Sequence, residues 1–462
     1  MTLDTITLSR LQFAFTIAYH IIWPTYSIGV AWFITLFNAL WLLTGKVVYR
    51  QLMRFWLRLF ALGFVMGVVT GVVLSYEIGA NWSAFSRITG NVVGPLLTYE
   101  ALTAFFLEGG FVGIMLFGEK LVGRGMHMFA SVMVTLGTML SAFWVLAANS
   151  WMQTPQGAVL GHDGIFHVTS WMAVIFNPSF PYRFLHMVNA CLVSGIFVVA
   201  GISAVFLLRQ RHDDFARAGL SLAMWLALFF VPLQMFLGDQ HGLNTRRYQP
   251  MKIAAIEARW QTGRGVPLTL FALPDQKTAT NLYAVDVPRL GSLILTHSWN
   301  GEVKGLNEVS PSDRPYVPIV FFAFRAMVGI GSLLLAFALI GAYLRWRRHL
   351  FTTRRFLIGL VLISPLGFVA TIAGWVVTEA GRQPYVVYGV VRTANAASHL
   401  AAVSVGTTFI LFIVVYLFLM GGFLWFLIQT IISGPEPAEI EETPRAARGR
   451  MRATPELLKG VP

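Results

Sequence analysis

The sequence predicts an all-α integral membrane protein of nine transmembrane helices, with a long external loop between helices six and seven. Three observations carry that expectation. Of 462 residues, 56% are hydrophobic and only 12% charged, against roughly 25% charged in soluble domains, so too few polar side chains exist to clothe a water-soluble globule. Apolar stretches of about 20 residues, enough to cross a hydrocarbon core about 30 Å thick, recur along the whole chain. Basic residues fall unevenly on alternate connections between those stretches. An ordinary soluble enzyme is thereby excluded. The formal charge of +13 fits Lys and Arg flanking membrane spans, and no nucleic-acid partner is expected. A lone Cys191 inside an apolar run excludes an intramolecular disulfide and any Cys-ligated zinc or iron–sulfur centre.

Taken in order, the expected spans are Phe13–Leu43, Phe55–Tyr76, Val92–Phe117, Met126–Ala148, Phe184–Leu208, Ala218–Leu237, Pro318–Tyr343, Phe356–Val377 and His399–Leu427. The first is too long and too uncut for a secretory signal, and no small-residue cleavage site follows it, so it stays in the fold. In the second, Gly63, Gly67 and Gly71 repeat every four residues and let another helix approach closely. One set of short connections, from Lys46 to Arg355, carries fourteen Lys and Arg; the other carries five, namely Arg10, Arg87, Arg183, Arg382 and Arg392. The positive-inside bias places the richer set in the cytoplasm, the N-terminus outside and the C-terminus inside. The segment 238–317 is then external, and its own charges do not count because long loops translocate regardless of charge. Residues 1–433 read as one membrane domain including that loop, and 434–462, an acidic run followed by a basic one with prolines, read as a disordered cytoplasmic tail.

Ionisable side chains inside spans are costly and usually face a bundle interior or a water path. Here they are His20 in span one, Glu100 and Glu108 in span three, His186 at the start of span five and Glu379 just beyond span eight; Arg325 and Met327 in span seven and Arg382 after span eight join them. At 1.5 Å per residue, His20 lies about 10 Å and Met327 about 14 Å below the outer face, with His186 and Glu379 near that surface. Glu108, eight residues beyond Glu100, is expected about 12 Å deeper and about 80° around the helix, as two steps of an inward polar path. Taken singly, each residue also has a structural reading, Met327 as core filler above all. The carboxylates equally suit a cofactor-free secondary transporter or ion channel. His and Met, however, are a known axial pair for low-spin haem iron.

Several strings now coincide. SRLQFAFTIAYH, GPLLTYEALTAFFLEGGFVG, AANSWMQTP, LGDQHG with MKIAAIEARWQTG, FFAFRAMV and EAGRQPY together resemble, in order and over nearly the whole chain, subunit I of cytochrome bd-type quinol oxidases. The resemblance implies that His186 and Met327 hold a low-spin haem b. It implies that His20 and Glu379 ligate two high-spin haems, a b and the oxygen-reducing d, without deciding which ligates which. Glu100 falls on the segment beside that pair and Glu108 on the proton-path carboxylate. Arg325 and Arg382 match arginines among the haems, where a fixed cation balances propionates; Trp375 is counted with the cofactor-binding residues. Lys252 and Glu257 match the residues tied to quinol oxidation, the carboxylate accepting a proton and the lysine bonding the carbonyl that forms opposite. Without the resemblance, a Lys and a Glu at i, i+5 read as solvated charges.

Two departures stand out. Tyr385 occupies a position where many members carry Trp, and the external loop of about 80 residues is similar to the short-loop, cyanide-insensitive branch, which leaves the terminal haem as d or a third b. The resemblance implies an enzyme of the bacterial inner membrane that oxidises ubiquinol or menaquinol outside and reduces O2 to water with cytoplasmic protons. A proton-motive force follows without pumping. It also implies a second multi-span subunit and admits a small single-span one.

Overall fold

The structure, a computed structural model, describes residues 4–436. Most of the expected tail, residues 437–462, lies outside the described residues. Among the described residues nine helical spans are long and apolar enough to cross a membrane: Thr5–Thr44, Val47–Asn81, Ser83–Lys120, Arg124–Gln153, Phe180–Leu208, Asp213–Tyr248, Pro311–Trp346, Arg354–Ala380 and Ala402–Ser433. They follow the expected order. Each is longer than its apolar stretch because helix continues through polar residues at one or both ends, although span nine begins at Ala402 rather than at the expected His399. The largest such difference falls after span six, where the loop was expected from Gly238; the helix instead runs on to Tyr248.

Several spans are interrupted, and the interruptions place functional side chains. Span one divides into α1 (Thr5–His20) and α2 (Ile22–Thr44). Pro24 lacks the N–H that would bond the His20 carbonyl four residues back, so the helix breaks at Ile21 and His20 becomes the last residue of α1. After α3 (Val47–Asn81), span three is α4 (Ser83–Tyr99), a π-helical stretch Glu100–Phe105 and α5 (Phe106–Phe117). Span four is α6 (Arg124–Gln153). A short hairpin, β1 (Ala158–Leu160) and β2 (Phe166–Val168), and α7 (Trp171–Ile175) lead to α8 (Phe180–Leu208) and α9 (Asp213–Tyr248).

The loop that follows is folded. It holds α10 (Pro250–Ile256), β3 (Gly263–Arg264), a ribbon of β4 (Leu268–Asp275) and β5 (Thr280–Val287), α11 (Leu290–Thr296) and β6 (Glu302–Val303), which pairs with β3. Spans seven, eight and nine are α12 (Val317–Trp346), α13 with α14 (Arg354–Ile363, Leu366–Ala380) and α15 (Ala402–Ser433). Between α14 and α15, β7 (Tyr385–Val387) pairs with β8 (Val391–Arg392). Asp313, just ahead of α12, accepts a hydrogen bond from the Tyr385 hydroxyl at 3.0 Å and pairs with Arg392, so the start of span seven and the end of span eight are joined.

Tight packing rather than hydrophobic exclusion holds such a bundle, since lipid tails are as apolar as the side chains. The central helices α2, α3 and α8 enclose Trp23, Phe33, Phe55, Trp56, Phe60 and Phe197 with almost no exposure. Where α2 crosses α8, a Cβ on Gly29 would lie 2.6 Å from the Cys191 carbonyl oxygen, so only glycine fits. The glycine stripe on α3 serves the same end. Methyl groups at Gly63, Gly67 and Gly71 would meet Tyr26, Trp23 and His20 at 2.4, 3.4 and 3.3 Å, which shows that the stripe also makes room for the His20 ring.

Candidate functional site

A cavity of about 950 Å³ opens within the bundle, and His20, Glu100, Glu108, Trp375, Glu379 and Arg382 all line it. Six residues singled out from three separate spans and their ends thus share one space.

His20 is oriented from behind. Its Nδ1 lies 2.8 Å from Thr70 Oγ1, and the Thr70 hydroxyl donates to the Met66 carbonyl at 2.8 Å. Thr70 must therefore accept from Nδ1–H, which leaves Nε2 with its lone pair free for a metal.

Glu100 and Glu108 are closer in azimuth than a straight α-helix allows. The π stretch that begins at Glu100 absorbs one extra residue in a wider turn. Eight residues then behave as seven, and the expected offset of about 80° shrinks to roughly 20°. Both carboxylates consequently meet the same face of α6. Ser141 Oγ donates to Glu100 at 2.8 Å, and one turn away a Cβ on Gly137 would stand 2.6 Å from Glu108 Cγ.

Glu379 sits in a network. Asn149 Nδ2 and Gln153 Nε2 donate to its Oε1 at 2.9 and 3.2 Å, while its other oxygen pairs with Arg382. Gln153 in turn accepts from Lys252 Nζ at 2.6 Å and from Gln249 Nε2 at 3.0 Å. Three cations, Arg183, Lys252 and Arg382, are buried to 6%, 2% and 4% exposure, and all three interact electrostatically with the single carboxylate of Glu379. Arg183 Nε and Arg382 Nε and Nη1 have no partner among the described residues. Such a deficit of negative charge is what the propionates of a haem would fill.

Lys252 and Glu257, five residues apart on and just beyond α10, face directions about 140° apart. The structure divides them. Lys252 turns to the Gln153–Glu379 network, while Glu257 Oε2 pairs with Arg325 Nη2 at 2.8 Å. Neither is a solvated charge, Glu257 being only 7% exposed. Arg325, expected among haem groups, has its guanidinium taken up at the loop: it also donates to the Thr269 carbonyl at 2.5 and 3.1 Å and the Ile256 carbonyl at 3.2 Å, with Phe321 stacked 4.4 Å away. Burial raises the Glu257 carboxyl above its ordinary range against the pull of Arg325. Burial, reinforced by Arg183, holds the Lys252 ammonium well below its ordinary range.

The Lys252 shift has a measurable sign. An unfolded chain protonates Lys252 up to about pH 10.4, whereas the folded chain releases that proton earlier, so the unfolded state binds more protons in the window between and stability rises with pH there. Thermal unfolding of the purified complex between pH 7 and 9.5 should therefore show a rising component, at most about 1.4 kcal/mol per pH unit, that Lys252→Met removes. An unchanged slope in that variant refutes the assignment.

His186 and Met327 do not line the cavity. His186 lies 3.3 and 3.4 Å from Gln234 Nε2 through its two ring nitrogens and 5.6 Å, ring to ring, from His241. A Cβ on Gly238 would stand 3.2 Å from its ring, and one on Gly374 would stand 2.9 Å from Met327 Sδ. Both side chains thus face glycine on a neighbouring helix, α9 for His186 and α14 for Met327, where a bulkier residue would close the space.

Sequence reasoning passed over several of these groups. Asn149 and Gln153 stand one turn apart in AANSWMQ, a string read as a signature rather than as chemistry. Arg183 was counted only as a loop charge although it precedes His186 by three residues, one helical turn. Glu77 fell one residue beyond the expected end of span two, yet it is 1% exposed and accepts from Thr16 Oγ1 at 2.6 Å.

An apolar bundle that gathers an imidazole, three carboxylates and a buried guanidinium around one cavity defines a polytopic membrane protein built for buried charge chemistry. The chain belongs to the cytochrome bd terminal oxidase subunit I family, whose model matches residues 8–435. It is 33% identical to the cytochrome bd ubiquinol oxidase subunit 1 of Bacillus subtilis (strain 168), over 95% of this chain and 96% of that one. It is 31% identical to the cytochrome bd-II ubiquinol oxidase subunit 1 of Escherichia coli (strain K12), over 89% and 93%. The bd oxidase structure from Geobacillus thermodenitrificans superposes with a TM-score of 0.87 at 30% identity, covering 94% of this chain and all of that chain. Membership makes the chain an enzyme, a haem-associated terminal oxidoreductase of a bacterial membrane, and displaces the cofactor-free transporter reading.

Proposed function

We propose that the chain is the haem-bearing subunit of a quinol oxidase that takes ubiquinol or menaquinol at the 249–316 loop on the external side and reduces O2 to water with cytoplasmic protons. The shared cavity of His20, Glu379, Glu100 and Glu108 carries this reading. His20, through its free Nε2, and Glu379 would hold the high-spin haems, b and d or two b. His186 and Met327 would hold a low-spin haem b, and Arg183 and Arg382 would meet propionates. The haems supply electron transfer and an open iron position for oxygen.

The protein's own residues handle protons and position. Glu257, with Oε2 held by Arg325, offers Oε1 to a quinol hydroxyl proton; Lys252, turned toward Gln153 rather than toward Glu257, would link the quinol loop to the Glu379 network. Quinol protons leave outside. Glu108 and then Glu100, brought onto one face by the π turn, pass protons inward from the cytoplasm. Charge separation follows from this placement and needs no pump. The unequal distribution of basic residues supports the orientation, N-terminus outside and C-terminus inside. Burial of the Lys252 and Glu257 side chains supports a role beyond solvation. The oxidase would work with a second multi-span subunit and with or without a small single-span one.

A dithionite-reduced minus air-oxidised spectrum of the purified complex, with extracted haems counted per chain, tests the reading. Three haems with a red-shifted chlorin band support b, b and d; three b haems keep the oxidase and remove d; no haem overturns the proposal. In the same preparation Met327→Leu is expected to convert low-spin haem toward high spin. An unchanged low-spin spectrum means that Met327 is not the ligand.

A further inference from the structure

The β4–β5 ribbon wears an apolar face on its outside. Phe271 pairs with Val285 and Leu273 with Leu282 across the strands, and directly opposed residues share a face. These four side chains are 41–54% exposed, more apolar surface than a ribbon in water leaves uncovered. Tyr283 beside them is 79% exposed, and tyrosine collects where a membrane meets water. The face continues onto a membrane span: the Phe271 ring lies 6.2 Å from that of Phe322 on α12, itself 40% exposed.

Its height can be read from α12. Arg325 and Arg345 are twenty residues apart on that helix, a rise of about 30 Å and therefore the thickness of the hydrocarbon core. Taking Arg345 as one boundary sets the other at Arg325, about 10 Å below the end expected near Pro318, so that Met327 lies about 3 Å rather than about 14 Å below that face and Phe322 stands about 5 Å beyond it in the headgroup layer. Because Arg325 donates to the Thr269 carbonyl of β4, the base of the ribbon is fixed at that level.

We infer that the Phe271–Leu273–Leu282–Val285 face of the ribbon is a lipid-binding surface seated in the adjacent bilayer leaflet, along which quinol reaches Glu257 without entering water. The second half rests on the reading of Glu257 as the quinol's proton acceptor. The ribbon is bolted to the segment just after that residue: Trp260 Nε1 donates to Asn281 Oδ1 at 2.8 Å, and Asn281 Nδ2 donates to the Ala258 carbonyl at 2.9 Å. At the far end, the turn around Lys277 is polar and exposed, with Asp275 accepting from the Lys277 N–H at 2.8 Å.

The test uses the whole complex in lipid nanodiscs. Cys191 is fully buried and is the only native cysteine of this chain, so Leu282→Cys and, as a tip control, Lys277→Cys give this chain one accessible thiol each for a fluorophore. Phosphatidylcholine carrying a nitroxide on its headgroup should quench the Leu282→Cys label several-fold more than the Lys277→Cys label, with aqueous iodide giving the reverse order. Equal quenching at both sites overturns lipid seating, as does a Leu282→Cys label that neither quencher reaches because a partner subunit or second copy covers it. Leu282→Glu should raise KM for a long-tailed quinol about tenfold while kcat and haem content hold, and an unchanged KM overturns the delivery route. If Glu257→Gln leaves quinol oxidation intact, the Glu257 reading fails while the quenching result stands.

Discussion

Glu379→Ala is expected to be the most damaging single substitution in the chain. It removes the one carboxylate that Arg183, Lys252 and Arg382 share, and leaving a buried charge without its partner costs about 3–5 kcal/mol. It also removes the carboxylate acceptor of Asn149 and Gln153, leaving the buried Gln153 amide only a 3.5 Å bond to the Thr378 carbonyl. The measurement is the yield and melting temperature of the detergent-solubilised complex, with haem counted per chain. Electrostatics predicts a specific remedy: adding Lys252→Met to Glu379→Ala deletes one of the stranded cations and should recover part of the lost stability. No recovery in the double variant means that the charge imbalance is not what Glu379 relieves.

The second large effect belongs to Glu108→Gln. The amide keeps the shape that fills the space beside Gly137 but cannot cycle a proton, and a positioned proton-transfer group is worth about 10²–10⁴ in rate. Oxygen reduction and the accompanying proton uptake should fall at least about a hundredfold, while haem content and the low-spin spectrum stay at wild-type levels. Loss of haem in this variant would show Glu108 to be part of the cofactor's support, and normal turnover would remove it from the proton path. Glu100 offers a contrast, because Ser141 already donates to it.

The spans, their order and the ionisable residues within them were legible because a membrane imposes a length and a polarity on helices that composition reveals, whereas Trp375 was reached only through the family resemblance. The π turn at Glu100 was not, since it depends on how α4 and α5 seat against α6 rather than on a run of residue types. Equally hidden was the parting of Lys252 from Glu257: spacing predicts only that they leave α10 on different sides, and tertiary packing decides that one reaches Gln153 and the other Arg325. The break at His20 lay in plain view, with Pro24 four residues on, but a search for uninterrupted apolar runs does not register it.

The Tyr385 hydroxyl on Asp313 bears on how this oxidase can be rebuilt. Tryptophan, the residue the family resemblance leads one to expect there, carries its one donor, an indole N–H, at a different place from the tyrosine hydroxyl, so the departure is coupled to the position of Asp313 rather than a neutral aromatic exchange. Its counterpart lies at the end of the loop, on the far side of span seven. A chimera that borrows residues 249–316 from a tryptophan-bearing relative would therefore need the 385–392 hairpin from the same donor. Loop and hairpin form one transplantable cassette, and exchanging either alone should loosen the start of the helix that bears Met327 and the end of the one that bears Glu379.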